Sequence, residues 1–222
     1  MKINSEIRRT KLMFIQESCA GFLDKLAAKD AVPGGGGAAA FAGALGAALA
    51  SMVCNLTLGK KKYQEVENTV QEILQATTQV RQELTALVQA DAEAFGALMQ
   101  AYKLPKESSI EQDFRTQTIS LKSIAASEVP WQIALACKKV LELADQVAQV
   151  GNPQAISDAA VAALLARAAL RSACYNVLIN LGSITDKSYV DSCLQNMKAL
   201  KREAFLLEEQ VLEKTENILL RP

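Results

Sequence analysis

The stretch PGGGGAAAFAGALGAALASMVCNLTL, Pro33–Leu58, decides the fold class. Proline and four consecutive glycines break any preceding element and let the backbone come close to a neighbour. From Ala38 to Leu56 the chain then runs without a single charge. It is built mainly of alanine, leucine and glycine, with few β-branched residues, a composition that favours a helix over a strand. Ala39, Gly43, Gly46, Ala47, Ala50 and Ser51 recur at spacings of three and four. Small residues on one helical face let another backbone approach, so the segment reads as a tightly packed helix in a core or at a dimer seam. A membrane span would need ~20 strongly apolar residues, and the glycines, Ser51 and Asn55 argue for a buried helix instead. Gly59 ends it as a C-terminal glycine does.

Working outward, the N-terminal side predicts an amphipathic helix over about residues 5–29, with Leu12, Ile15, Phe22, Leu23 and Leu26 toward the core. On the other side, Val66, Val70, Ile73, Leu74, Val80, Leu84, Leu87, Val88, Phe95, Leu98 and Tyr102 recur every three or four residues. A continuous helix over that span would reach ~55 Å, whereas a compact globule of this size is ~45 Å across. The helix must kink or form the long axis of an elongated, dimeric bundle. Leu104-Pro105 ends it. A helix over 109–127 follows, and Pro130 is expected to start another running to Val150. Gly151-Asn152-Pro153 marks a turn, and Ser157 or Asp158 is placed to cap a helix over 158–181, apolar nearly all round and therefore central. A last helix with charged faces spans about 187–219. Strand-like alternation is missing throughout. The expectation is an all-α protein: one domain over 1–222, a single elongated bundle of about six to eight helices.

Composition excludes several function classes. The 24 basic and 24 acidic residues cancel, leaving no electrostatic footprint for nucleic acid. Glu6, Arg8, Arg9 and Lys11 precede only a short apolar patch, so no signal peptide is expected. The five cysteines are scattered, without a Cys-x-x-Cys pair, and suit reduced thiols of a cytoplasmic protein. There is no histidine at all. That removes His-dependent serine and cysteine triads and any metal site that needs imidazole. Proton transfer must then use a carboxylate, lysine, tyrosine, cysteine or water.

Four groups of residues can carry chemistry. The Pro33–Gly37 loop offers close backbone approach and a helix N-terminus, a cradle for an anion or ligand, though no strand and no Lys-Ser/Thr accompany it as in a phosphate-binding loop. Asp91 occupies a position where the periodicity calls for an apolar residue. A buried carboxylate there suits a general acid or base, and equally a structural ion satisfied by Arg81 or a neighbouring helix. Glu93 points elsewhere, to the surface. Asn176 and Asn180, one turn apart on an apolar helix, can orient a heterocycle or tie helices together. Lys60-Lys61-Lys62 complements a helix C-terminus and would also suit an acidic ligand tail.

Five blocks, in order, resemble one family: PGGGGAAAFAGALGAALASMVCNLTLGKKKY (Pro33–Tyr63), DAEAFGALMQAYKLPK (Asp91–Lys106), VPWQIA (Val129–Ala134), GNPQAISDA (Gly151–Ala159) and NVLINLGSITD (Asn176–Asp186). They are similar to the signature of the formimino-tetrahydrofolate cyclodeaminase and methenyl-tetrahydrofolate cyclohydrolase family, over roughly residues 15–210. The resemblance implies an all-helical homodimer acting on tetrahydrofolate derivatives, with no metal and no bound cofactor, and here in the free-standing form. It implies that Asp91 is the catalytic aspartate and that Gly34, Gly35 and Gly36 form the ligand loop. Lys60 and Lys61 are then candidates for the acidic glutamate tail, and Asn152, Asp158 and Asn180 for the pterin. One departure is visible: the family often has serine after PGGG, where this chain has Gly37. The implied reactions are cyclisation of 5-formimino-tetrahydrofolate with loss of ammonia, and hydrolysis of the 5,10-methenyl compound to the 10-formyl compound. A non-catalytic folate-binding helical dimer and an unrelated helix-bundle interaction protein are the alternatives.

Overall fold

The computed structural model describes residues 14–220, which form six α-helices and three short 3₁₀ turns, with no strand among the described residues. The helices are α1 (Cys19–Leu26), α2 (Gly35–Asn55), α3 (Glu67–Tyr102), α4 (Ser109–Val150), α5 (Ile156–Leu181) and α6 (Lys187–Leu219). The part of the expected N-terminal helix before residue 14, including Leu12, lies outside the described residues. Phe22 is buried as expected, whereas Leu23 is 60% exposed: α1 is only eight residues long and buries one narrow face.

The charge-free helix α2 sits at the centre, packed against α3, α4 and α5. Its small residues are what permit this. A Cβ on Gly46 would stand 2.9 Å from the Ala162 carbonyl oxygen of α5, so the two backbones are in contact there. α2 and α5 run antiparallel: Gly35 lies beside Asn176, Gly46 beside Ala162 and Ala166, and Thr57 beside Asn152. α2 ends at Asn55, a few residues before the expected stop, and Gly59 takes the left-handed conformation, φ +73°.

The periodic segment is one uninterrupted helix, α3, of 36 residues, about 54 Å long, so the molecule is elongated. The two helices expected over 109–127 and 130–150 are a single 42-residue helix, α4, with Pro130 inside it. Proline lacks the N–H that would bond to the carbonyl four residues back, and an interior proline normally breaks or kinks a helix. Here the carbonyl left over is that of Ala126, and Asn180 of α5 donates its Nδ2 to it at 2.8 Å. The lost bond is replaced from a neighbouring helix, and the helix continues. Ser108 and Glu111 close its start with a reciprocal capping box.

α5 begins at Ile156 after a 3₁₀ turn that Asn152 caps, so neither Ser157 nor Asp158 is the cap. Its inner face is alanine-rich and buried, but Val161, Leu164, Tyr175 and Ile179 are exposed. α2 has a matching open row of Leu45, Met52 and Leu56. In one chain, then, α5 is apolar all round without being surrounded. Both α2 and the stretch Pro153–Leu181 are long and apolar enough to cross a membrane by length and composition; each instead commits a buried face to the bundle. α6 is held along the bundle by Lys138–Glu203 at 2.6 Å and by an Arg167–Glu208 pair whose guanidinium also lies over Phe205.

Candidate functional site

A cleft of about 310 Å³ opens where the N-terminus of α2 meets α3, α4 and the C-terminal part of α5. From α3, Asp91, Phe95, Leu98 and Tyr102 lie along one face and form a wall. That row belongs to the same periodicity that, farther back at Leu84, Leu87 and Val88, packs the core. From Asp91 onward the face lines a cleft, with Leu98 also buried in a small second apolar cluster, and the cleft is why the pattern admits a carboxylate there.

Asp91 does structural and electrostatic work at once. α2 starts with Gly34 as its cap residue, which has no side chain to satisfy the first N–H groups. Asp91 supplies the missing cap from α3: its Oδ2 accepts from the Gly37 N–H at 3.0 Å. The partner is therefore the helix backbone and not Arg81. Burial raises the Asp91 carboxyl above the ordinary aspartate range, and the Gly37 N–H opposes that rise without cancelling it. Glu93 is exposed and bonded to Gln89.

The glycine loop is shaped around this carboxylate. A Cβ on Gly36 would fall 2.1 Å from Asp91 Oδ1, and one on Gly35 3.3 Å from Asn176 Oδ1. Gly37, by contrast, has no neighbour closer than 3.6 Å to such an atom, so a small side chain would fit the space there. Gly34, Gly35 and Gly36 all line the cleft. The N–H groups of Gly35 and Gly36 belong to the first turn of α2 and are donors without intrahelical partners.

The amide orientations of Asn176 and Asn180 are set by the backbone. Asn180 spends its Nδ2 on the carbonyls of Ala126 and Asn176, and Asn176 spends its own on Ser172. The side-chain oxygens are the atoms left over. The cleft thus carries the backbone donors of the glycine loop with the acceptors of Asp91 and Asn176 beside them, and the acceptor of Asn180 one turn farther along α5. That suits a planar heterocycle with an N–H edge, or a cationic carbon flanked by nitrogens.

The remaining sequence candidates do not join this cleft within one chain. Lys60, Lys61 and Asn152 lie at the opposite end of α2 and Asp158 beside its C-terminal part, and its 21 residues put about 30 Å between its ends. Asn152, expected near a pterin, is buried as a clip: its N–H donates to Thr57 Oγ1, its Nδ2 to the Leu56 carbonyl, and its Oδ1 accepts from Tyr63 and Gln154. Asp158 sits in the first turn of α5, where a carboxylate complements the helix dipole. Lys60 and Lys61 are exposed. Among the described residues no three His, Cys, Asp or Glu side chains gather as metal ligands would. The buried thiols are displaced upward by burial, Cys54 to about 11 and Cys137 to about 12, which makes poor nucleophiles of them. The sequence reading missed Ser123, Met99 and Ser183 in the lining, because a serine or methionine on an amphipathic helix carries no distinguishing local signal.

The chain is similar to known proteins over most of its length. Residues 18–199 match the family model described as formiminotransferase-cyclodeaminase. A methenyltetrahydrofolate cyclohydrolase from Methylorubrum extorquens is 45% identical over 197 residues, covering 89% of this chain and 95% of that protein. A formimidoyltransferase-cyclodeaminase from Rattus norvegicus is 35% identical over 190 residues, and the match spans 86% of this chain but only 35% of the rat protein. The crystal structure of formiminotetrahydrofolate cyclodeaminase from Thermotoga maritima superimposes with a TM-score of 0.83 at 30% identity, covering 92% of this chain and 98% of that one.

Proposed function

The chain belongs to the formiminotransferase-cyclodeaminase family, and from that premise we propose that its cleft carries out folate one-carbon chemistry with Asp91 as the catalytic acid–base. The reaction is cyclisation of 5-formimino-tetrahydrofolate to the 5,10-methenyl compound, hydrolysis of that compound to 10-formyl-tetrahydrofolate, or both. The observation that carries the assignment of Asp91 is its setting: a carboxyl raised by burial, held on the Gly37 N–H, and facing a cleft lined by outward-turned amide oxygens.

Both reactions pass through one carbon bonded to N5 and N10. In cyclisation, N10 attacks the carbon of the protonated formimino group, the N10 proton moves to the departing nitrogen, ammonia leaves, and a cationic methenyl bridge remains. In hydrolysis, water adds to that bridge, the C–N5 bond breaks, N5 takes up a proton and the formyl group stays on N10. Each needs one group that accepts and returns a proton beside a positive carbon. Without a histidine, a carboxylate with one oxygen anchored and the other free is suited to that task. The acceptor atoms of Asn176 and Asn180 favour the cationic bridge and the N–H edge of the pterin, and the Gly35 and Gly36 N–H groups favour its acceptors.

The open apolar rows of α2 and α5 support a homodimer. A two-fold axis crossing the middle of α2 would set the two copies of that helix antiparallel. It would bring the Lys60–Lys61 end of one copy, with Asp158, toward the cleft mouth of the other, where these groups can meet the glutamate tail. Leu45→Glu places a charge in that row and is expected to yield monomers by light scattering. A wild-type protein that is itself monomeric at micromolar concentration would contradict this arrangement. The free cysteines support a reducing, cytoplasmic setting.

The assignment is tested by following the methenyl-folate absorbance band. Its appearance from 5-formimino-tetrahydrofolate marks cyclodeaminase activity, and accelerated loss from the 5,10-methenyl compound marks cyclohydrolase activity. Folate binding with neither change would leave a binding protein and refute catalysis.

A further inference from the structure

One polar group in the cleft serves neither the Asp91 anchor nor the asparagine pair. Ser123 lies on α4 in the cleft lining, is fully enclosed, and its Oγ has no hydrogen-bond partner. Helical serines and threonines commonly return the hydroxyl to a carbonyl three or four residues back. Ser51, Thr118, Ser127 and Ser172 all do so in this protein. Ser123 does not. A buried, unpaired hydroxyl works against folding, and alanine would occupy the same helical position with better propensity. Ile119 and Ala126, one turn before and after it on α4, are apolar and cluster with Leu98 and Ala101 at this end of the bundle.

We propose that Ser123 is a substrate-binding residue, whose hydrogen-bond partner is a polar atom of the pterin ring delivered only when the ligand seats on the closed floor of the cleft. The inference rests on the reading of this cleft as the folate site. A hydroxyl both donates and accepts, so it can pair with either kind of ring atom. It lies on α4 one turn before Ala126, whose carbonyl Asn180 holds, so it would fix the depth and tilt of the ring and leave proton transfer to Asp91. Its role is in binding and positioning, not in the chemical step.

The test compares wild type with Ser123→Ala and Ser123→Cys in the full chain, by melting temperature of the free protein and by titration with 5-formyl-tetrahydrofolate. The expected result has two parts. Both variants melt at or above the wild-type temperature, because an unsatisfied group has been removed. Both also bind the folate about five- to tenfold more weakly, the range of one neutral hydrogen bond, with KM raised and kcat within about twofold of wild type. A lower melting temperature would show that the hydroxyl has a structural partner and would overturn the proposal, as would unchanged affinity. If wild type fails to bind the folate at all, the reading of the cleft fails and this inference falls with it. Unchanged affinity in the variants alone sinks only Ser123.

Discussion

Gly36 and Asp91 approach so closely that a methyl group on the first would stand 2.1 Å from Oδ1 of the second. The start of α2 and the carboxylate of α3 are thus one unit. The glycine is required by the contact, and the contact holds the carboxylate against the Gly37 N–H. Gly36→Ala is expected to drive Asp91 off its anchor and cut turnover by about 10²-fold or more, the scale of a displaced general acid–base. Gly37→Ala, one residue on, meets nothing closer than 3.6 Å. It should keep activity within about twofold and add roughly 0.5–1 kcal/mol of stability through helix propensity. Parallel kinetics and denaturant melts of the two variants check the contrast; equal losses would show that the loop is simply intolerant of side chains.

Asn180 and Pro130 should be energetically coupled through the Ala126 carbonyl. Asn180→Ala leaves that buried acceptor unpaired and should cost about 1–3 kcal/mol. In a Pro130→Ala background the restored backbone N–H can take the carbonyl back, so the same Asn180→Ala change should cost at least ~1 kcal/mol less. Urea unfolding of the four proteins measures the difference. Additive effects would mean that the 2.8 Å contact does not compensate for the proline.

The raised carboxyl of Asp91 has a consequence for stability. A folded-state pKa above the unfolded value means that the native state holds the proton more tightly. Stability is then gained as pH falls through the folded pKa toward the ordinary aspartate value, and the penalty for the buried charge is fully present above it. Asp91→Asn removes that penalty and keeps an oxygen to accept from Gly37. Its melting temperature should equal or exceed wild type at pH 7 to 8, with the gain shrinking as the pH drops below the folded pKa. A gain that grows on acidification would reverse the sign and contradict the burial argument.

Much of the fold is legible from periodicity alone. α3 and α6 follow the expected spans almost residue for residue, because their apolar spacing is regular and their ends carry Pro105 and Asp186. α4 is the exception. Pro130 is a strong local stop signal, and what overrides it is an amide 54 residues away in sequence. Asp91 stood out as a polar residue in an apolar register, but the reason for its place, a cap for a helix that begins with glycines, exists only in three dimensions. Lys60 and Lys61 share a signature block with the glycine loop, yet the 21-residue rod of α2 carries them to its other end, where Asn152 of the α4–α5 turn also lies. Ser123 gave no signal, since an unpaired hydroxyl looks like any other serine until its surroundings are known.

Whether Asp91 moves the proton is decided by the turnover of Asp91→Asn with the 5-formimino and 5,10-methenyl substrates, in protein whose helicity and folate affinity match wild type. The substitution preserves the Gly37 hydrogen bond and removes only the titrating group. If Asp91 moves the proton, turnover falls by about 10²–10⁴-fold with binding largely retained. If more than about a tenth of the wild-type rate survives, below the smallest loss expected for a general acid–base, Asp91 serves as a helix cap and the catalytic group lies elsewhere.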